Sequence, residues 1–302
     1  MSKKVPVLFI IFKRRQESLI AFETIRAYQP DKLYIVADGP RPYVDNERKV
    51  CEDTRKSVLD SIDWKCKVSL LFRDENKGCT LSVYEGINWF FEQEEYGVII
   101  EDDILLSIDF LMMVECLLPH YRDNEKVMMI SAQNRRSRKS QSKKLVFGTY
   151  TYIWGWATWR RAWQKMDMNM KEWPACKKRN LLYCYGMFTG FFKWRSYRAA
   201  YKSITSGSWD TRWAFSVFIN KGLILMPLVN LAKNIGIGCS DSANYRKGDE
   251  DPHSQLEIGS ITWPLSYPSN LAIDKRQHIQ NQIDYLRERL FGLRNKLKRL
   301  WH

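Results

Sequence analysis

The chain opens on an unbroken apolar run, Val5-Pro6-Val7-Leu8-Phe9-Ile10-Ile11-Phe12, rich in β-branched and aromatic residues. Such a run without polar alternation predicts a strand buried on both faces, as in a parallel sheet. Amphipathic spacing from about Glu17 to Ala27 predicts a helix that stops before Pro30. Leu33-Tyr34-Ile35-Val36-Ala37 predicts a second buried strand ending in the turn Asp38-Gly39-Pro40. A helix from about Asn46 to Ser61, a strand at Lys67 to Phe72, a helix from about Thr80 to Glu94 and a strand at Gly97-Val98-Ile99-Ile100 follow in turn. This alternation of strand and helix predicts a doubly wound α/β layer, whose ligand sits at the carboxyl ends of the strands.

The second half is less regular. Met128-Met129-Ile130-Ser131-Ala132 reads as a strand, and polar, basic Arg135 to Lys144 as a mobile loop. Aromatics crowd around Gly155 between Thr149 and Arg161, and a helical region runs on to about Tyr201. Ser206-Gly207-Ser208-Trp209-Asp210 opens a further helix, and Leu223-Ile224-Leu225-Met226-Pro227 reads as a late strand. From about Asp274 to Trp301, Ile279, Ile283, Leu286, Leu290, Leu293, Leu297 and Leu300 recur at helical spacing among basic residues. Residues 1–270 are expected to form one catalytic domain and 271–302 a basic amphipathic helix. That helix could lie on anionic lipid, cover the domain or make a dimer.

Composition narrows the function. The 302 residues carry a formal charge of +14, are 45% apolar and 27% charged, and include 12 Trp, so the chain is expected to be globular. The positive charge favours a phosphate-bearing ligand and an anionic membrane surface. A nucleic-acid groove is not expected: no zinc-finger spacing, aromatic RNA-binding signature or heptad run is present, and the basic residues are dispersed apart from Arg135-Arg136-Ser137-Arg138-Lys139 and the last thirty residues. Seven scattered cysteines, without a CxxC pair, point to a reducing cytosol. The short apolar run before Lys13 suits neither a signal peptide nor a spanning helix, so the expected location is cytoplasmic, with a peripheral place on the inner face of the membrane as an option.

Neither GxGxxG nor GxxxxGK[ST] occurs, so a dinucleotide fold and a P-loop are unsupported. The strand ends instead carry Lys13-Arg14-Arg15, Asp38, Arg73-Asp74 and Glu101-Asp102-Asp103. The acidic triplet is either an ordinary strand-to-loop turn or a carboxylate site for a hard divalent cation completed by phosphates and water. Asp210 is either a helix cap or a general base for an acceptor hydroxyl. Lys13, Arg14 and Arg73 suit phosphate oxygens, or are solvated loop charge. Asp38 suits a base N–H, or serves its turn, and the same choice holds for Asn76-Lys77-Gly78.

Taken together, these residues resemble the GT-A glycosyltransferases, above all the inverting α-mannoside N-acetylglucosaminyltransferases and similar bacterial polysaccharide enzymes. Pro6 to Ile11 with Arg14 looks like that family's first strand and its nucleotide-contacting Arg. Asp38 matches its uracil-binding Asp, and Glu101-Asp102-Asp103 its EDD form of the DxD motif. Ser131-Ala132 with Asn134 matches the next strand, Gly155-Trp156 the donor-sugar loop, Trp209-Asp210 the pair whose Asp is the catalytic base, and Pro227, Asn230, Ile235 and Gly236 the closing strand and loop. The resemblance implies a GT-A (Rossmann-like) α/β fold, with a mixed, mainly parallel sheet flanked by helices and a C-terminal helical extension. It implies Mn²⁺ or Mg²⁺ on Asp103, a donor site of Arg14, Asp38, Arg73, Glu101, Asp102, Gly155, Trp156 and Trp209, and Asp210 as the base. The implied partners are a nucleotide-diphosphate sugar, with a UDP-sugar favoured, and a glycan or lipid-linked oligosaccharide acceptor. The family's His on the third helix has no match near Tyr84-Glu85, and its stem and membrane anchor have no counterpart here. A non-catalytic nucleotide-sugar-binding module and a sugar-phosphate nucleotidyltransferase remain the alternatives. The latter usually shows a Gly-rich loop where this chain has Lys13-Arg14-Arg15-Gln16.

Overall fold

A computed structural model describes residues 4–135, 137, 139–203, 208–237, 253 and 256–298, the side chains at 296–298 excepted. Arg136, Arg138, Ser206, Gly207, Leu300 and Trp301, named above, and Cys239, one of the seven cysteines, lie outside the described residues, as does the side chain of Leu297.

The first half follows the expected alternation: β1 (Val7–Ile11), α1 (Arg15–Tyr28), β2 (Lys32–Ala37), α2 (Glu47–Asp60), β3 (Lys67–Phe72), α3 (Cys79–Gln93) and β4 (Tyr96–Glu101). The short β5 (Ile104–Leu106), α4 (Ile108–His120) and β6 (Val127–Ser131) come next. The second half consists of β7 (Gln141–Gly148), β8 (Trp156–Trp159), α5 (Arg160–Trp163), α6 (Lys178–Tyr185), α7 (Met187–Lys202), α8 (Trp209–Ile219), β9 (Leu223–Pro227), β10 (Ala232–Asn234), β11 (Ser260–Ser266) and α9 (Lys275–Lys298).

The described strands build a nine-stranded sheet in the order β11-β7-β9-β6-β8-β4-β1-β2-β3, plus a small antiparallel pair, β5 with β10. β3, β2, β1 and β4 run parallel, β8 runs against both β4 and β6, and β6 pairs parallel to β9. The sheet is therefore mixed, mainly parallel and Rossmann-like at its first end.

Period-two packing explains why the first strands carry no polar alternation. Val7, Phe9 and Ile11 of β1, with Leu33, Ile35 and Ala37 of β2, face one core with α1 and α4. Leu8, Ile10, Tyr34 and Val36 face the opposite core with α3 and α8. Every position of β1 is buried because a helical layer covers each face. A third, aromatic cluster (Tyr150, Tyr185, Tyr197 and Phe215 among its members) joins α6, α7 and α8. Arg212 ties that unit together: its guanidinium donates to the carbonyls of Ala200 (2.8 Å) and Ser203 (3.0 Å) at the end of α7 and to Met168 (3.0 Å). These bonds satisfy carbonyls that a helix end leaves open.

Three strands of the large sheet differ from the sequence expectation. The polar stretch read as a loop through Lys144 turns at Gln141 into β7, which lies between β9 and β11. Lys143 and Lys144 stay exposed near its start, which hides the strand from an apolar count, while Leu145 to Gly148 are all buried. β8 is too short to announce itself among so many Trp, and β11, mostly half-exposed at the sheet edge, carries little apolar pattern.

The loops after β1 and β2 are held by one buried carboxylate at the start of α2. Glu47 accepts from the Arg41 backbone N–H (2.8 Å) and Arg41 Nε (2.9 Å) and pairs with Lys13 Nζ at 3.2 Å. Hydrogen bonds from Arg41 outweigh burial and hold Glu47 down to about 2, against an ordinary 4.5. A carboxylate lowered in the folded state contributes stability above its unfolded value and loses it as pH falls through the folded one. Glu47→Gln is therefore expected to cost about 1–3 kcal/mol at pH 7, with the gap to wild type narrowing from about pH 5 to pH 2. Urea unfolding of both proteins across that range checks it.

Candidate active site

In the order β3-β2-β1-β4, all parallel, the strand order reverses between β1 and β4, the point at which such sheets place a ligand beyond the strands' carboxyl ends. Arg14 follows β1 there, and Glu101, Asp102 and Asp103 end β4 and lead out of it. The Arg14 guanidinium donates to Asp103 Oδ2 at 2.6 Å and to Asp102 Oδ1 at 3.2 Å, while Asp102 Oδ2 accepts from the Phe12 backbone N–H at 3.2 Å. Negative charge exceeds positive here, and it shows in the acidities. Burial, then the charges of Asp103, Asp102 and Asp210, raise Glu101 well above the usual carboxylate range against the pull of Arg14. Burial first pushes Asp102 up to about 7, with Asp103 adding to it and Arg14 opposing. Hard carboxylate oxygens with surplus negative charge at a strand end are a donor set that fits a divalent cation.

The small β5–β10 pair closes over this site. It sets the Ile235 N–H on the Asp103 carbonyl at 2.8 Å and lays Gly236 against the acid itself. A Cβ on Gly236 would meet Asp103 Oδ2 at 2.7 Å and the Arg14 guanidinium at 3.2 Å. Gly155 is the matching constraint on the other side. It has a φ of +66°, and a Cβ there would fall 2.4 Å from Leu106 of β5.

Asp210 arrives from more than a hundred residues away. It lies in the first turn of α8, after the N-cap Ser208, whose hydroxyl donates to its carboxylate. Trp209 anchors that turn: its ring is buried and stacks on Trp156 at 5.8 Å and 23°. Asp210 comes close enough to the triplet for its charge to raise Glu101.

The structure thus brings Arg14, Glu101, Asp102, Asp103 and Asp210 together, with Gly155 beside β5. Trp156 and Trp209 lie under the site as buried rings, not along its open wall. Asp38 is buried and serves its turn. One carboxylate oxygen accepts from the N–H groups of Gly39 and Lys77, the other from Gly78 N–H and Asn76 Nδ2, all at 3.0 Å. Those donors fill its acceptor sites, so a nucleobase would have to displace one of them. Arg73 points to α3, donating to Ser82 Oγ at 3.2 Å and Glu85 Oε2 at 3.1 Å.

Sequence reasoning missed three neighbours of the site. Cys79, solvent-exposed, opens α3 beside the carboxylates; partial desolvation, then the charges of Glu101 and Asp210, raise its thiol above the usual range. Lys193 of α7 is buried among the rings of Tyr150, Tyr185, Tyr197 and Tyr285, with Nζ 4.6–5.7 Å from their centroids. Burial, then Arg289, push its amine down to about 8, while Asp210 is among the charges that oppose. Arg289 of α9 also feels Asp210. The one sequence signal for Lys193 is its place in 173–209, which has seven basic residues and no acidic one.

No protein-family model and no curated protein sequence matches the chain. Among solved structures, mouse xyloside xylosyltransferase 1 in its apo form is similar over 70% of this chain and 80% of its own, at 11% identity and a TM-score of 0.34. An apo UDP-glucose pyrophosphorylase is similar over 76% and 93%, at 11% identity and 0.36. A cytidylyltransferase from Leptospira borgpetersenii is similar over 58% and 65%, at 11% identity and 0.34. At these scores the likenesses carry no weight for fold or function. The fold rests on the sheet order and register.

Gly236→Ala should leave the melting temperature within a few degrees of wild type, because this buried loop position lies outside the three apolar cores, but should displace the Asp103–Arg14 pair. Titration calorimetry with Mn²⁺, a cation that suits these carboxylates, is expected to show an affinity loss of about tenfold or more.

Proposed function

We propose that the protein is an inverting, divalent-metal-dependent glycosyltransferase that moves a sugar from a nucleoside diphosphate, a UDP-sugar by preference, onto a hydroxyl of a glycan or lipid-linked oligosaccharide. Polysaccharide biosynthesis is the setting this reaction suits. The observation that carries it is the convergence of Asp210 on Glu101-Asp102-Asp103 and Arg14 at the sheet's reversal point. A base and a diphosphate site must flank one anomeric carbon for a single in-line displacement.

Asp103, with Asp102 beside it, would hold Mn²⁺ or Mg²⁺, which when bound offsets the charge of the departing diphosphate. Arg14 supplies a guanidinium for the phosphate oxygens. Gly155 and Gly236 keep the crevice open where any side chain would fill it. Glu101, half-buried among Asp102, Asp103 and Asp210, would face the donor sugar. Its carboxyl is held above the usual carboxylate range, so it can keep a proton and donate it in a hydrogen bond to a sugar hydroxyl. Asp38 and Arg73 shape the nucleoside end by holding the 76–78 turn and α3. In the reaction Asp210 takes the proton of the acceptor hydroxyl as that oxygen bonds to the anomeric carbon. The bond from that carbon to the phosphate oxygen breaks, and the nucleoside diphosphate leaves with the electron pair. Attack from the face opposite the leaving group inverts the anomeric centre.

Asp210→Asn should fold normally and lower turnover by about 10²–10⁴-fold, read as nucleoside diphosphate released from a panel of nucleotide sugars with glycan acceptors. EDTA should abolish release in the wild type, and Mn²⁺ should restore it. Unchanged turnover in Asp210→Asn removes the base. Consumption of pyrophosphate in place of diphosphate release replaces the reaction with nucleotidyl transfer.

A further inference from the structure

The C-terminal helix docks by the face its sequence would lead one to expose. α9 buries Gln277, Asn281, Asp284 and Asn295. Gln277 Nε2 donates to Asn134 Oδ1 at 3.2 Å and Asn281 Oδ1 at 2.8 Å, and Asn134 Nδ2 donates to the Pro227 carbonyl at 3.0 Å. Arg135, packed over the rings of Tyr152 and Trp154, pairs with Glu288 at 2.8 Å. At 100° per residue the opposite face carries Ile279, Ile283, Leu290 and Leu293 within about 80° of arc. All four are exposed, Leu290 at 63%. Arg276, Arg287 and Arg294, also exposed, fall along one border of this stripe and Lys275 at the other.

A second apolar group sits beside it. The α6–α7 corner at Gly186 approaches Gln282 of α9, whose side-chain oxygen would lie 3.4 Å from a Cβ there, and Arg289 donates to Ser196 of α7 at 2.9 Å. That corner exposes Tyr183 at 94%, Met187 at 72% and Phe188 at 69%. The corner belongs to the 173–209 stretch in which every charged residue is basic, and Lys177, Lys178, Arg179, Arg195 and Arg198 are exposed. No described helix is long and apolar enough to cross a membrane. Isolated exposed apolar side chains need no explanation, but two adjoining rows of them bordered by cations do.

We propose that the outward face of α9 and the α6–α7 corner form one surface that docks on an anionic phospholipid bilayer. The apolar rows enter the headgroup boundary and the bordering arginines and lysines meet lipid phosphates, the arrangement that holds an interfacial helix. The charge of this surface selects lipid over a second copy of the chain, because two such faces would repel each other. The same helices carry Lys193 and Arg289, whose charges reach Asp210, so docking sets the acceptor side of the site against the membrane. That last step alone rests on the transferase reading and names its acceptor as lipid-linked.

The test is co-sedimentation of the full chain with vesicles of phosphatidylcholine alone and of an equal mixture with phosphatidylglycerol. Wild type is expected to pellet with the mixture only and to be released by salt. Ile283→Glu/Leu290→Glu and, separately, Phe188→Glu should weaken partition by about tenfold or more, with melting temperature and diphosphate release in solution unchanged. A wild type that stays in the supernatant overturns the proposal, as does a stripe variant that binds like wild type. So does light scattering that shows a dimer broken by the stripe variant without any vesicle binding. Vesicle binding needs no sugar donor, so its failure leaves the transferase reading standing, and an inactive protein that still pellets does the reverse.

Discussion

Like charge held at close range organises this molecule. Three consecutive acids end the fourth strand, a fourth arrives at the start of α8, and Arg14 is the cation hydrogen-bonded into the triplet. Burial raises the cost of each negative charge, which is why Glu101 and Asp102 hold their protons more tightly than surface carboxylates do. Arg14 offsets part of the repulsion within this cluster. The fold supplies it with rigid supports: buried β1 and β4 beneath, and the β5–β10 pair above.

Those supports are apolar and aromatic. The Trp156–Trp209 stack fixes two distant chain segments against each other, and so sets Asp210 relative to Gly155 and the triplet. Tryptophans that the sequence offers as sugar platforms act from below, through the backbone they position. The close approaches at Gly155 and Gly236 follow from the same tight assembly: the crevice is built by backbone, and the charged side chains enter it from strand and helix ends.

Much of this was legible in the chain. β1 to β4 and their helices are readable because strands covered on both faces must be apolar at every position, and few other structures demand that. Glu101-Asp102-Asp103 and Asp210 stood out as charges placed where apolar elements end. Asp38 illustrates a limit: an acid before Gly39 suits a ligand or a turn equally, and only the donors around it decide how it is used. β7, β8 and β11 were hidden because edge exposure, lysines and short length remove the apolar signal. The orientation of α9 was hidden for a different reason. Its stripe is a correct helix signal, but periodicity says nothing about which face packs, and a ladder of buried amides from Asn134 to Asn281 claims the polar one.

The most direct test of the charge-driven site is a crystal grown with UDP and manganese, with data collected at a wavelength where the metal scatters anomalously. The arrangement predicts a single strong anomalous peak within coordination distance of Asp103, the diphosphate against it, and Asp210 across the crevice. A peak elsewhere, or a diphosphate bound away from β1 and β4, would contradict it.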